Sequence, residues 1–218
     1  MIAEIGHIFL IIAFVLSLMQ LITSIKVNFI SFSELNYYAL RKTNYIISLF
    51  LVFSFLSLIL SYAISDFSVL NIYNNSHSNK PLIYKISGTW GNHEGSLLMW
   101  LAILGIYGFF LTLTTKKNSS NFTAKILFAT NIVNVGFIGF TIFTSNPFTR
   151  ISPIPSEGNG LNPVLQDPGL AFHPPLLYLG YVGLTVPFAY SIAALLDGKI
   201  TRDWAKDIRP WILISWIF

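Results

Sequence analysis

The 218-residue chain is 54% hydrophobic and only 10% charged, with a mean hydropathy of +0.65 and a formal net charge of +4. A soluble globular domain averages about 25% charged residues, so this composition excludes a water-soluble fold and an intrinsically disordered one. The sequence contains no cysteine, which excludes disulfides, zinc–thiolate sites, iron–sulfur ligation and a cysteine nucleophile. In a membrane protein, a positive net charge is typical of basic loops on the inner side of the membrane.

Long stretches between charged residues predict the membrane-spanning helices. A bilayer core needs about 20 consecutive apolar residues. Five stretches reach this length, and they predict an all-α fold, a polytopic transmembrane helix bundle with the start of a sixth span. The predicted spans are 4–24, 43–64, 96–115, 123–144 and 174–196, followed by the shorter run 210–218, all in a single membrane domain covering 1–218.

The distribution of basic residues predicts the orientation of the bundle. Three segments together hold ten of the 13 lysines and arginines, and they alternate with two charge-poor segments. By the positive-inside rule, the basic segments face the cytoplasm or organelle matrix, and the N-terminus faces outside. These basic clusters are interpreted as determinants of topology, with binding of anionic lipid or nucleic acid as the alternative. The basic segments are 25–42, 116–125 and 197–209, and the predicted outer loops are 65–95 and 145–173.

The first outer loop ends in the string GTWGNHEGS at 88–96. Three glycines within eight residues indicate tight turns or the close approach of a flat group. Trp90 is typical of the membrane interface. His93 and Glu94 do not form a zinc-protease motif, because no second histidine follows at helical spacing. The string therefore predicts either a structural interfacial turn or a binding surface.

The second outer loop ends in a proline-rich string that runs into the fifth span. Residues 167–169 (Asp-Pro-Gly) are a predicted turn. Pro174 and Pro175 suit the first turn of a helix, where a missing N–H is harmless, so we expect the fifth span to start there. His173 then lies at the outer end of this span. An imidazole in this place can cap the helix, donate to a carbonyl or ligate a metal, haem iron included.

Polar and small residues within the spans predict close packing between helices. Asn131 and Asn134 share one face of the fourth span, and we expect them to hydrogen-bond to a neighbouring helix. Glu4 and His7 lie one turn apart near the outer surface, and we expect both to be solvated at the headgroups. Glycine pairs three residues apart are expected to let helices approach closely at 105/108, 136/139 and 180/183.

Several strings of this chain, taken in order, closely resemble one protein family. The strings lie at 4–6, 90–98, 144–148, 161–178, 180–183 and 208–211. They resemble the CcmF family of haem-handling membrane proteins, which acts in system I cytochrome c maturation. The resemblance covers nearly the whole chain.

The resemblance implies a function in haem attachment. CcmF-type proteins form the core of the cytochrome c haem lyase, which accepts haem from the chaperone CcmE and joins it to apocytochrome c presented by a CcmH-type partner. The family holds a haem b between two histidines, and the histidine of its FHPP string matches His173. The resemblance thus implies that His173 is a haem b axial ligand, with Trp90, Asn92, His93 and Glu94 in the outer haem-site loop. It assigns no catalytic residue.

The chain also departs from the family pattern. The tryptophan-rich WWD segment, the second haem b histidine and the two outer histidines of the family have no counterpart here. We therefore expect a split, N-terminal subunit that is inactive alone and needs one or more C-terminal CcmF subunits carrying the WWD segment. Residues with AT-rich codons, the missing presequence and the end at Phe218 predict a mitochondrial inner-membrane protein with its outer loops in the intermembrane space. The alternative is a bacterial inner membrane, with the loops in the periplasm.

Other functions remain open at this point. Within the same superfamily, a nitrite-reductase-type lyase or a haem-delivery protein such as CcmC would share many features. A structural assembly subunit without its own haem is a second alternative. A membrane transporter is a third, against which the charge-free spans and the lack of internal repeats argue.

Overall fold

The computed structural model describes residues 1–115 and 119–218, and these residues form an α-helical bundle. Five helical segments are long and apolar enough to cross a membrane. The predicted all-α fold with five spans is therefore confirmed. The helices are α1 (Ile2–Ile25), α2 (Glu34–Ala63), α3 (Leu70–Asn75), α4 (Leu82–Gly88), α5 (His93–Thr114), α6 (Ser120–Thr144), α7 (Pro168–Gly183), α8 (Thr185–Asp197) and α9 (Arg202–Ile217). The five segments are Ile2–Ile30, Glu34–Ala63, His93–Thr114, Ser120–Thr144 and Ala171–Asp197.

The long helices pack side by side around a common apolar core. α1 packs along α2 and α6, α2 packs along α5, and α6 packs along α8. α7 lies against α5 and α9. Between helices in lipid, close packing and hydrogen bonds replace the hydrophobic driving force. The side chains at the centre of these contacts are fully buried: Leu10, Leu51, Leu58, Leu101 and Ile138.

Polar side chains connect the helices inside this core. The Asn131 side-chain amide donates to the Ser17 carbonyl at 2.8 Å, which confirms the predicted interhelical bond. Asn134 was expected to behave in the same way, but its side-chain carbonyl is buried without a partner among the described residues. A similar bond joins the Gln20 amide to the Leu40 carbonyl at 3.1 Å. Each bond gives a buried side-chain amide an acceptor that hydrocarbon could not supply.

The first inner connection is much shorter than the predicted basic segment 25–42. The first helix continues as a π-helical turn, Lys26–Ile30, and α2 begins at Glu34. Only residues 31–33 connect them, because the helix-forming residues at 39–42 extend α2 inward. The prediction of a basic loop there is wrong. Lys116 and Lys117, from the second predicted basic segment, lie outside the described residues.

Arg41 is buried in the bundle and is not part of a loop. Its guanidinium donates to the Thr112 carbonyl at 2.5 Å and to the Tyr37 hydroxyl at 3.0 Å. Thr112 lies in the last turn of α5, where the helix carries a partial negative charge. The cation is therefore stabilised by a helix end.

The two outer loops are joined to each other. α3 and α4 lie within the predicted loop 65–95, which is therefore partly helical. The Leu70 amide donates to the Thr149 carbonyl at 2.8 Å, and the Ile151 amide donates to the Ser68 carbonyl at 3.1 Å. This short antiparallel contact holds the loops 65–95 and 145–173 side by side.

Glu4 and His7 both contact the second outer loop. Glu4 is exposed, as expected, whereas His7 is only partly exposed. Glu4 forms an ion pair with Arg150, which also pairs with Asp66 at 3.5 Å. His7 Nε2 lies 3.1 Å from the Asn146 amide nitrogen. These contacts are long-range in sequence, so the spacing of Glu4 and His7 within α1 could not reveal them.

The fifth span starts earlier than predicted. α7 begins at Pro168, a favourable first position for proline, and the Asp167 carbonyl accepts from the Ala171 amide at 2.9 Å. Pro174 and Pro175 therefore lie inside the helix, and the prediction that they form its first turn is wrong.

The fifth span is also interrupted in its middle. The chain leaves α7 at Gly183 and enters α8 at Thr185. Pro187 has no N–H to donate to the Gly183 carbonyl, and its ring would collide with that carbonyl in a continuous helix. The span therefore consists of two stacked half-helices.

The sixth apolar run belongs to a longer helix than predicted. α9 begins at Arg202, and the Thr201 hydroxyl caps it by accepting from the Trp204 amide at 3.1 Å. Pro210, the predicted start, lies inside the helix. A Cβ atom on Gly183 would come within 2.4 Å of the Ser215 hydroxyl, so this glycine permits the close approach of α7 and α9.

Candidate functional site

A groove of about 420 Å³ separates the segment between α4 and α5 from the outer half of α7. Three of the five predicted site residues line it, and His173 adjoins it through its neighbour Pro174. The structure therefore brings the two outer-loop strings together, as the predicted site requires. The lining residues are Ser87, Trp90, Gly91, Asn92, His93, Ser96, Leu165, Pro174 and Tyr178.

Asn92 organises the turn on one side of this groove. Its side-chain carbonyl accepts from the Gly95 amide at 2.8 Å and thereby caps α5. The same oxygen accepts from Asn71 at 2.7 Å, and the Asn92 amide donates to the Gly88 carbonyl at 2.8 Å and to the Tyr62 hydroxyl at 3.1 Å. These bonds occupy both ends of the Asn92 side chain, so its role here is structural.

His93 and Glu94 lie in the first turn of α5 but differ in their surroundings. His93 is exposed, and its Nε2 lies 3.1 Å from the Ser145 hydroxyl. Glu94 accepts from Asn71 at 3.3 Å and lines a second, smaller cavity of about 160 Å³ beside α3. The structure therefore places His93 at the groove and Glu94 away from it.

Trp90 bridges the two outer-loop strings. Its indole N–H donates to the Ala171 carbonyl at 2.9 Å. In a regular helix this carbonyl would accept from residue 175, but Pro175 has no N–H. No local spacing in the sequence pairs Trp90 with Ala171. The available signal was the proline four residues after Ala171, which leaves a carbonyl in need of another donor.

His173 is the third residue of the fifth spanning segment and is exposed. Its imidazole has no hydrogen-bond partner among the residues that the structure describes. The side chains around it on α7 are apolar and exposed as well, with Phe172 at 61% and Leu176 at 48%. A neutral imidazole on an apolar surface can ligate a haem iron, since neither ring nitrogen is engaged by the protein.

An aromatic cluster adjoins the groove. Tyr178, on the wall of the groove, lies 5.0 Å from Tyr181 and 5.9 Å from Trp100, measured between ring centroids. Trp100 also stacks on Phe137 of α6 at 4.5 Å. The cluster therefore joins α5, α6 and α7 beside the candidate site.

Two charged groups in the outer loops have shifted pKa values. Hydrogen bonds from the Ser78 hydroxyl and amide lower the pKa of Glu157 to about 2. Burial, with a smaller contribution from Lys85, lowers the pKa of Lys80 to about 8. Both groups lie away from the groove, so they shape the loops and not the candidate site.

The donor set in the described residues does not fit a metal ion held by protein side chains alone. No group of three His, Cys, Asp or Glu side chains converges anywhere in 1–115 or 119–218. A single exposed histidine instead fits a metal whose other ligands come from a macrocycle or from further protein.

Comparison with known proteins identifies the family. Residues 90–218 match the model of the family described as "Cytochrome C assembly protein", and this match includes both strings that form the groove. The chain belongs to the cytochrome c assembly protein family. It is a multi-pass membrane protein of the CcmF type, and proteins of this type are named for cytochrome c biogenesis.

Relatives of this cytochrome c assembly protein come from several bacteria. The cytochrome c-type biogenesis protein CycK of Bradyrhizobium diazoefficiens is 46% identical over 218 residues, which is 100% of this chain and 33% of its own length. The CcmF protein of Escherichia coli is 45% identical over 166 residues, which is 76% of this chain and 26% of its own. The chain thus spans about a quarter to a third of the length of these relatives.

A solved structure shares the fold. The structure titled "Cytochrome c Heme Lyase CcmF" superposes with a TM-score of 0.86 over 99% of this chain and 34% of that chain, at 24% identity. This cytochrome c assembly protein therefore has the helix arrangement of one third of that lyase.

Proposed function

We propose that the chain holds haem b through His173 and forms part of a CcmF-type lyase that attaches haem covalently to apocytochrome c on the outer face of the membrane. The observation that carries this proposal is the exposure of His173 and its lack of a hydrogen-bond partner among the described residues. Its imidazole lies beside the outer groove. The names of the relatives supply the substrate class.

The chain's own residues fit the binding of a flat macrocycle with polar substituents. His173 supplies a ring nitrogen, and the exposed apolar side chains of α7 supply a surface for the macrocycle. His93 places a polar group in the neighbouring groove. When bound, haem supplies the redox-active iron and the vinyl groups that become thioethers. The chain contains no cysteine, so in this proposal it supplies no thiol, and the acceptor apocytochrome supplies both.

The proposal includes partners that complete the site. A second axial histidine and the WWD segment would come from C-terminal CcmF sequence, because the chain corresponds to only a third of its full-length relatives. Haem would arrive on CcmE, and a CcmH-type protein would present apocytochrome c. The open face of α7 beside His173 is consistent with a site finished by another segment.

The proposal places the groove on the outer side of an inner membrane. The basic residues at 197–209 support this orientation, and a composition rich in AT-codon residues supports a mitochondrial membrane. A native chain without cysteine allows single-cysteine labelling. We expect Ile154→Cys to react with a membrane-impermeant maleimide from the outer side and Ile200→Cys to react only after permeabilisation, since both side chains are about 70% exposed. The reverse pattern would invert the topology.

An absorption spectrum tests haem ligation. The membrane complex is purified by a tag on this chain, reduced, and compared between wild type, His173→Ala and His77→Ala. His77 is a suitable control because it lies 3.8 Å from Glu157 in the outer loops, away from the groove. We expect the α and β bands of haem b to disappear only in His173→Ala. Intact bands in that variant would show that another residue is the axial ligand. No haem in any sample, with the completing proteins present, would make the chain a scaffold.

A further inference from the structure

α7 contains a backbone acceptor that its own helix cannot satisfy. Pro175 has no N–H, so the carbonyl of Ala171, four residues earlier, has no helical donor. Ala171 is only 3% exposed, so water cannot replace the missing donor. An unpaired carbonyl in such a place would favour local distortion of the turn that follows. That turn carries His173.

The missing donor comes from the other outer-loop string. The Trp90 indole N–H lies 2.9 Å from the Ala171 carbonyl oxygen. The Trp90 ring is itself held by packing against the apolar core, with Phe55 at 6.5 Å between ring centroids. Trp90 therefore provides a fixed donor at the position where α7 lacks one.

We propose that Trp90 is a positioning residue for His173. The indole fixes the Ala171 carbonyl by a hydrogen bond, and this bond in turn fixes the first turns of α7. His173 lies in these turns, two residues after Ala171. This inference deepens the proposed function, because the benefit of a fixed His173 rests on its being the haem ligand. Trp90 need not touch the haem to have this effect.

Trp204 is a matched control for this inference. It also packs against the apolar core, and its indole N–H donates to the Tyr190 carbonyl at 3.1 Å. Tyr190 lies in α8 and Trp204 lies in α9, both outside 169–178. Trp204→Phe therefore removes an indole, its packing and one hydrogen bond to a backbone carbonyl, as Trp90→Phe does, but not at the start of α7.

A second-site change separates the hydrogen bond from the packing. Pro175→Ala restores a backbone N–H at residue 175, which can donate to the Ala171 carbonyl in the ordinary helical pattern. If Trp90 acts by satisfying this carbonyl, Pro175→Ala compensates for Trp90→Phe. If Trp90 acts only by its bulk, Pro175→Ala does not.

The experiment compares wild type, Trp90→Phe, Trp204→Phe and Trp90→Phe/Pro175→Ala in the purified membrane complex. One readout is the reduced haem b spectrum together with the midpoint potential. The other is amide hydrogen exchange in peptides covering 169–178, which does not depend on haem. We expect exchange there to rise about fivefold to tenfold in Trp90→Phe, the factor that corresponds to one ordinary hydrogen bond. The haem spectrum and potential should shift in the same variant.

The outcomes separate the two proposals. Little change in Trp204→Phe and recovery in the double variant would support positioning by Trp90. Equal effects of the two single changes, or no recovery in the double variant, would overturn it. If wild type shows no haem that depends on His173, the proposed function fails, and the exchange measurement still decides whether Trp90 holds the turn.

Discussion

The two strings that form the groove use their polar groups in opposite ways. In 88–96, both ends of the Asn92 side chain hydrogen-bond to neighbouring protein groups, and one of these bonds caps α5. In 167–178, two prolines remove helical donors, and His173 stands exposed without a partner in the described chain. The polar groups of the first string are used in hydrogen bonds within the protein. The imidazole of the second string remains available to bind a ligand. A binding residue is therefore better sought in the second string, although the first string is richer in polar residues.

The largest effect is expected from Gly95→Ala in the first string. A Cβ atom there would lie 1.6 Å from the Thr89 carbonyl oxygen, so the turn cannot accept it without moving backbone. We expect the free energy of unfolding to fall by about 3 kcal/mol or more. Thermal unfolding in detergent, followed by tryptophan fluorescence, measures the change.

Gly136→Ala is the matched control for that prediction. Nothing lies within 4 Å of a Cβ atom at Gly136, which is also a helical glycine. Alanine is favoured over glycine in helices by about 1 kcal/mol, so stability should hold or rise slightly. Equal destabilisation by both changes would show that the Asn92 turn is no tighter than an ordinary helix.

A smaller loss is expected from Asn92→Ala. This change removes the α5 cap and leaves Asn71 without its 2.7 Å acceptor. We expect a loss of about 2 kcal/mol, which combines a cap and a buried unpaired group. Asn162→Ala removes an exposed cap of the same kind and should cost less than about 1 kcal/mol. The same unfolding assay compares them, and similar losses would contradict a special role for Asn92.

A modest, pH-dependent effect is expected from Glu157→Gln. Its folded pKa of about 2 lies below the ordinary value of 4.5, so its contribution is present above pH 4.5 and is lost as the pH falls toward 2. We expect an acid protease to cleave the loop 145–167 faster in Glu157→Gln than in wild type near pH 5. The difference should vanish near pH 2, and a difference that persists there would rule out this carboxylate as its source.

The smallest effect on stability is expected from His173→Ala. An exposed side chain without a protein partner should change the free energy of unfolding by no more than about 0.5 kcal/mol. The unfolding assay on haem-free protein tests this. A loss as large as that of Asn92→Ala would show that His173 has a structural role, and the contrast between the two strings would fail.

The spans could be predicted because charged side chains are excluded from the hydrocarbon core, and a helix needs about 20 residues to cross that core. The same reasoning failed at the ends of helices, where it relied on charge to mark loops. Arg41 is charged but buried against the end of α5, so the basic segment 25–42 is largely helix. Pro174 and Pro175 were read as a helix start because an interior proline normally breaks a helix.

The candidate site was predictable only in part, for a related reason. His173 could be selected from its string, and the structure places it beside the groove. The Trp90–Ala171 bond joins residues that are 81 positions apart in the sequence. The Glu4–Arg150 ion pair joins α1 to the second outer loop. Such partners depend on how the outer loops fold over each other, and no local spacing in the sequence encodes this.

The outer half of the fifth span is fastened at two carbonyls. Trp90 donates to Ala171, and the Tyr107 hydroxyl of α5 donates to Leu179 at 2.8 Å. Eight residues separate the two carbonyls, about 12 Å along the helix. A helix held at one point adjusts its tilt to the thickness of the bilayer. With one point fixed by the segment before α5 and the other by α5 itself, α7 should keep its tilt in bilayers of different acyl-chain length. His173 should then keep its position relative to α5 while the surrounding lipid adapts.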